Sequence, residues 1–183
     1  MATELSDFLD PGRAVKAAKI HDHMKVADFG VGAGFFTTAL ARAVGPQGRV
    51  FAIDINRDLL TRLAPFAELE DLMNIDYVQG DLDEPHGSSL PEGCVDVVMM
   101  ANILFQVEKK DMIIEEAYRV LRKGGRLVLI DWKDSFNGMG PHKSAVVSRE
   151  EALALTTKGG GFSHMEDIPA GTFHYGLILK KKG

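Results

Sequence analysis

The sequence predicts an α/β protein: a doubly wound, mostly parallel seven-stranded sheet with helices on both faces and a C-terminal antiparallel β-hairpin. Three observations carry this. Short apolar runs alternate with longer stretches of helical period, the pattern of right-handed βαβ units. A glycine-rich run, Gly30-Val31-Gly32-Ala33-Gly34, follows the first apolar run, where a strand turns into its helix. The last two strand-like runs are separated by only Pro169-Ala170-Gly171, short enough for a hairpin.

A first helix is expected from Pro11 to about Ile20, with Asp10 as N-cap and proline in the first turn. Lys25 to Phe29 reads as a buried strand. Phe35 to Val44 repeats apolar residues at helical spacing until Gly45-Pro46-Gln47-Gly48 stops it. Arg49 to Ile53 forms the second strand, closed by Asp54. Asn56 caps a helix carrying Leu59, Leu60 and Leu63, which Pro65 is expected to kink or end. Ile75 to Gln79 is a third strand and Val95 to Ala101 a fourth, with a turn-rich stretch, His86 to Gly93, before the latter. Asp111 to Arg122 reads as a helix, ended by Lys123-Gly124-Gly125, and Arg126 to Asp131 as a fifth strand. Lys133 to Val147 is a polar loop, longer than most connections and therefore a functional suspect. Ser148 and Glu151 have capping-box spacing for a helix from Arg149 to about Lys158. Phe162 to Ile168 and Thr172 to Lys181 complete the set.

The 183 residues are the size of one ordinary domain, and 45% apolar with 26% charged residues is a folded composition. No apolar run approaches the ~20 residues needed to cross a bilayer. Met1 to Asp10 is acidic, without a basic-then-apolar leader, so no secretory signal is expected. The single cysteine, Cys94, excludes an internal disulfide and a Cys-rich zinc site, and a reducing, cytoplasmic compartment is expected. The net charge of −5 argues against a dedicated nucleic-acid binder. That charge is uneven: residues 1–108 carry −9 and residues 109–183 carry +4.

Glycine spacing discriminates between ligands. A dinucleotide fingerprint puts its third glycine at position 35, where this chain has Phe35. The run is instead Asp28-Phe29-Gly30-Val31-Gly32-Ala33-Gly34, an acid followed by alternating glycines. It resembles the cofactor loop of the class I S-adenosylmethionine-dependent methyltransferases. Asp54 at the end of the second strand, Ile55 after it, Gly80-Asp81-Leu82 after the third strand, and the stretch Tyr118 to Leu127 are similar to that family at matching places. Singly, Asp28 could cap a turn, Asp54 a helix, and Asp81 could be an ordinary turn residue; in order, on successive strand ends, they point to one ligand.

The resemblance, which spans residues 10–183, implies one methyltransferase domain over 1–183. Residues 1–24 would be the N-terminal helix and lead-in, 25–132 the cofactor-binding core, and 133–183 the acceptor-side loop, helix and hairpin. It implies S-adenosylmethionine as cofactor, held by Asp28, Gly30, Gly32, Gly34, Phe35, Asp54, Ile55, Asp81, Leu82, Asn102 and Ile103. Asp54 would accept both ribose hydroxyls. It implies methyl transfer by in-line displacement to a small-molecule acceptor, as in the quinone-biosynthesis (type 11) branch. The turn Asn102-Ile103-Leu104-Phe105 lacks the two prolines of amide and adenine methyltransferases, and arsenite methyltransferases use several cysteines. His142, in the glycine-rich loop, is the candidate base or acceptor ligand. His174, Tyr175 and Trp132 could also face a pocket, although a single histidine is more often a surface residue. Asp131, Asp134 and Asn137 lack the adjacent Asp-Asn pair of a catechol-type magnesium site, so no metal is expected. The alternatives are a non-catalytic S-adenosylmethionine-binding module and an RNA methyltransferase using the basic second part.

Overall fold

The apolar runs become one sheet. Its strands are β1 (Lys25–Phe29), β2 (Arg49–Asp54), β3 (Ile75–Gln79), β4 (Val95–Ala101), β5 (Leu121–Trp132), β6 (Phe162–Asp167) and β7 (His174–Lys181). The computed structural model describes residues 8–136 and 138–183; the leader reading of residues 1–7 and the Asn137 reading fall outside them. The sheet order is β3-β2-β1-β4-β5-β7-β6, with β1 to β5 parallel and β7 antiparallel to both of its neighbours. Chain order reverses between β1 and β4, so the crevice of a doubly wound sheet opens at their carboxyl ends.

The helices are α1 (Pro11–Ala17), α2 (Phe35–Val44), α3 (Arg57–Leu69), α4 (Lys110–Val120) and α5 (Arg149–Thr157). Successive strand residues point to opposite faces, so each central strand feeds two cores. Val26, Val97, Met99 and Val128 pack with Val15, Leu40 and Leu63 of α1 to α3. Ala27, Val98, Met100 and Leu127 pack with Ile113, Ala117 and Ala152 of α4 and α5. Full burial of each large apolar side chain contributes about 1.5–3 kcal/mol before entropy is set against it. Both faces are therefore covered, as unbroken apolar strand sequences require.

Local chemistry explains most boundaries. The Asp10 carboxylate accepts the Arg13 N–H, and Ser148 with Glu151 forms the reciprocal capping box. Four boundaries differ from expectation. Helix α1 ends at Ala17 because the chain turns left-handed at Lys19 (φ 54°), where the Arg126 guanidinium takes the carbonyls of Ala18 and Lys19. Helix α3 runs straight through Pro65, since its buried stripe Leu60, Leu63 and Ala67 continues across the proline, which is exposed. Helix α4 stops at Val120: fully buried Leu121 pairs with Val95 and starts β5, so Lys123-Gly124-Gly125 becomes a bulge inside that strand. The hairpin strands are shorter than expected, leaving 168–173 as the connection. Among the described residues no helix is long and apolar enough to cross a membrane.

Candidate functional site

A cleft of about 730 Å³ lies at the carboxyl ends of β1 to β4. The chain makes its floor from the glycine loop. Gly30 and Gly32 take positive φ (85° and 52°), which L side chains rarely adopt. A Cβ on Gly30 would lie 2.5 Å from the Ile103 side chain, whereas one on Gly32 would project into open space. Asp54 is 9% exposed and fixes the loop from β2: Oδ1 accepts the Asn56 N–H at 2.8 Å and Oδ2 the Gly32 N–H at 3.3 Å. Asp81 Oδ1 accepts the Asp83 N–H, and the Asp83 carboxylate accepts the N–H groups of Glu108 and Lys109, tying the turn after β3 to the loop after β4.

Phe35 and Ile55 are 71% and 61% exposed and both line the cleft, giving it apolar walls. Asn102 follows β4 in a left-handed conformation (φ 57°), held by its N–H to the Ile130 carbonyl and by Gln106 Nε2 donating to its carbonyl. Its side-chain Oδ1 is buried in the cleft wall with no hydrogen-bond partner. A buried unpaired acceptor costs roughly 1–3 kcal/mol, which a ligand N–H would recover. The lining includes four carboxylates, Asp54, Asp81, Asp83 and Glu108, and no Lys, Arg or His.

Nine of the residues expected at a cofactor site meet here: Gly30, Gly32, Phe35, Asp54, Ile55, Asp81, Leu82, Asn102 and Ile103. Two support it from behind. Asp28 is 1% exposed and accepts the Thr37 hydroxyl of α2 at 2.6 Å; burial is the main cause that pushes its carboxyl up to about 7. Gly34 (φ 83°) packs against Leu63, leaving no room for a Cβ. Leu9, Pro11, Leu59 and Asp83 also line the cleft or its mouth and were not expected there. Leu9 and Pro11 arrive only through tertiary packing of α1.

His142 lies elsewhere. It is exposed, its Nδ1 sits 2.8 Å from Ser144 Oγ and caps the 3₁₀ turn Lys143–Ala145, and it does not line the cleft. Asp131 is spent on structure, accepting the N–H groups of Leu104 and Trp132, and burial pushes its carboxyl up to about 6. Among the described residues no three His, Cys, Asp or Glu side chains are grouped to hold a metal ion. Tyr175 donates its hydroxyl to the Val147 carbonyl at 3.0 Å and pins the end of the long loop. His174, by contrast, lines a second cleft of about 490 Å³ between α1 and the β6–β7 hairpin.

Fold and cleft define a doubly wound ligand-binding protein whose site lies at the switch point of the sheet. A family model described as a methyltransferase domain matches residues 20–168. The chain belongs to that family, the class I S-adenosylmethionine-dependent methyltransferases, and its cofactor is S-adenosylmethionine. Three similar proteins illustrate the match. The ubiquinone/menaquinone biosynthesis C-methyltransferase UbiE of Pasteurella multocida is 33% identical over 109 residues, 59% of this chain and 40% of its own length. An arsenite methyltransferase of Halobacterium salinarum is 28% identical over 106 residues, 58% of this chain and 26% of its own. The crystal structure of a SAM-dependent methyltransferase from Aquifex aeolicus superposes with a TM-score of 0.85 at 25% identity, covering 98% of this chain and 93% of that one. The chain thus spans two fifths or less of the length of these two curated relatives.

Proposed function

We propose that the chain transfers the methyl group of S-adenosylmethionine to a small-molecule acceptor, with the cofactor held in the 730 Å³ cleft. One observation carries the placement: the lining has four carboxylates and no cationic side chain. Such a surface repels the pyrophosphate of a dinucleotide and attracts a ligand with net positive charge. S-adenosylmethionine, with a sulfonium and an ammonium against one carboxylate, is that ligand.

When bound, it supplies a methyl group already activated by its neutral thioether leaving group. The residues therefore need to bind, orient and exclude water rather than drive a difficult proton transfer. Asp54 retains lone pairs beyond the two N–H groups it accepts, and these take ribose hydroxyls. Asn102 Oδ1 takes an ammonium N–H. Phe35 and Ile55 cover the apolar faces, and Gly32 leaves open the space into which a side chain would intrude.

The acceptor is a small molecule and not a nucleic acid, and the setting is cytoplasmic; the acidic charge and the lone cysteine support both readings. Cys94 precedes β4 at the opposite end of the strands, across the seven residues of β4 and about 26 Å from Asn102, so it is not the methyl acceptor or its ligand. The test is calorimetric titration with S-adenosylhomocysteine and with NADH, followed by transfer of a labelled methyl group to phenol, thiol and amine panels. Saturable binding of the former alone, with label transferred, is expected. A folded sample that binds NADH and not S-adenosylhomocysteine overturns the assignment.

A further inference from the structure

The second cleft contains a group that no structural role explains. His174 begins β7, opposite Trp132 of β5, and is 5% exposed. The Trp132 ring covers one side of the imidazole, with ring centroids 4.2 Å apart. Both ring nitrogens are buried without a hydrogen-bond partner. A neutral imidazole holds one N–H donor and one acceptor, so two opposite hydrogen-bonding needs are unmet at one place. Burial, with the nearby Lys133 charge, pushes this imidazole down to about 4, which leaves it neutral at pH 7 with its lone pair available.

The rest of the cleft is selective in its own way. Arg149 is matched by Asp167, whose two oxygens each receive one guanidinium N–H at 2.9 Å. Arg13 and Lys133 also line the cleft and have no carboxylate partner among the described residues; Lys133 Nζ donates only to the carbonyls of Gly171 and Thr172. Phe8, 53% exposed, adds a flat apolar wall. Position fits a role beside the cofactor cleft. The start of β7 lies on the same sheet edge as Asn102, two strands away, or about 10 Å. The two clefts flank the start of α1, with Leu9 and Pro11 on one and Phe8 and Asp10 on the other.

We propose that this second cleft is the acceptor subsite, that it takes a flat organic anion bearing a hydroxyl group, and that His174 is its hydrogen-bonding anchor. The proposal rests on the reading of the first cleft as the cofactor site. A hydroxyl can donate to the bare nitrogen of the imidazole or accept from its N–H, so it satisfies one of the two nitrogens, which turns toward it by rotation about the broad χ2 torsion. Arg13 and Lys133 take the negative charge, and the aromatic wall takes the ring. His174 and Arg13 are positioning residues.

The experiment titrates the whole chain with 3-hydroxybenzoate by ligand-observed NMR, with and without S-adenosylhomocysteine, using benzoate and phenol as arms that each lack one group. Wild type is expected to bind 3-hydroxybenzoate more tightly than either arm. His174→Phe is expected to weaken it about tenfold, the scale of one lost buried hydrogen bond, while His174→Gln, which keeps a donor and an acceptor, retains most of the affinity. His174→Phe is also expected to raise the melting temperature, because it removes two unpaired buried polar atoms, whereas replacing a purely structural histidine would lower it. Arg13→Ala, on an exposed position, should weaken 3-hydroxybenzoate and leave phenol unchanged. Equal binding by wild type and His174→Phe, or no binding of 3-hydroxybenzoate by wild type, overturns the subsite whatever S-adenosylhomocysteine does. Loss of S-adenosylhomocysteine binding alone, with 3-hydroxybenzoate still held through His174, counts against the cofactor reading and not against the anchor.

Discussion

The two clefts share the first turn of α1 and differ in almost everything else. The cofactor cleft is lined by four carboxylates and no cation, and its floor is backbone. The hairpin cleft carries Arg13, Lys133 and Arg149 against Asp10 and Asp167, and its walls are side chains. The difference shows how one sheet edge can sort two ligands. On the proposed assignment, a surface of turns and carboxylates would take a positively charged nucleoside, and two strands further on a surface with two cations, Arg13 and Lys133, lacking a carboxylate partner would take an anion.

Four substitutions would break or sharpen that contrast. The largest effect is expected beneath the cofactor cleft. The Asp28 carboxyl stands at about 7 in the folded chain against an ordinary 3.8, because burial penalises its charge. Between those values the unfolded chain releases a proton that the folded chain keeps, so this group lowers stability as pH rises through the window and then levels off. Asp28→Asn removes that loss. Its stability relative to wild type should grow by roughly 3–4 kcal/mol from pH 4 to pH 7 and stay flat above. Thermal unfolding across pH checks this, and a pH-independent difference would show that Asp28 is ionised throughout.

Gly32→Val comes next. A Cβ there enters open cleft with no protein atom within 4 Å, so the cost of the side chain falls on the ligand, apart from the strain of a positive φ. S-adenosylhomocysteine affinity should fall about a hundredfold or more by calorimetry, with hairpin-cleft binding unchanged. Unaltered affinity would remove the glycine loop from the site.

Asp54→Ala should weaken S-adenosylhomocysteine about tenfold, through lost ribose hydrogen bonds and a loosened Gly32 N–H. If the variant instead weakened only the hairpin cleft, the division between the two regions would be wrong. The smallest effect belongs to Tyr175→Phe, which frees the Val147 carbonyl at the end of the long loop. A loss of about 1 kcal/mol in stability is expected, with S-adenosylhomocysteine affinity unchanged. Chemical denaturation and calorimetry on one sample would check both halves.

The residues that line the candidate cofactor cleft were largely legible before the fold, for a local reason. Gly30, Gly32, Asp54 and Asp81 sit at strand ends and turns, where backbone conformation and residue type are tightly coupled over a few positions. Asp28 was legible as important but not as buried: its pairing with Thr37, nine residues on, depends on how α2 packs over β1. His142 shows the opposite limit. A histidine in a glycine-rich loop suggested chemistry, and the loop instead turns it outward to cap the turn at Lys143–Ala145. Pro65 and Leu121 gave boundaries that tertiary burial overrode, because a buried stripe or a strand pairing outweighs one helix-breaking or helix-forming residue.

By itself the sequence determined the α/β class, the glycine loop, the carboxylates on successive strand ends and hence the kind of cofactor, because periodicity and turn chemistry are set by near neighbours. Only the tertiary structure decided the insertion of β7 between β5 and β6, the covering of His174 by Trp132, and the meeting of residues 8–13, 133 and 167–176 around one cleft. Those contacts join segments distant in the chain: Trp132 and His174 are 42 residues apart, and Arg13 and Lys133 are 120. No local pattern encodes them, since the energy that holds them comes from burial shared across the whole sheet.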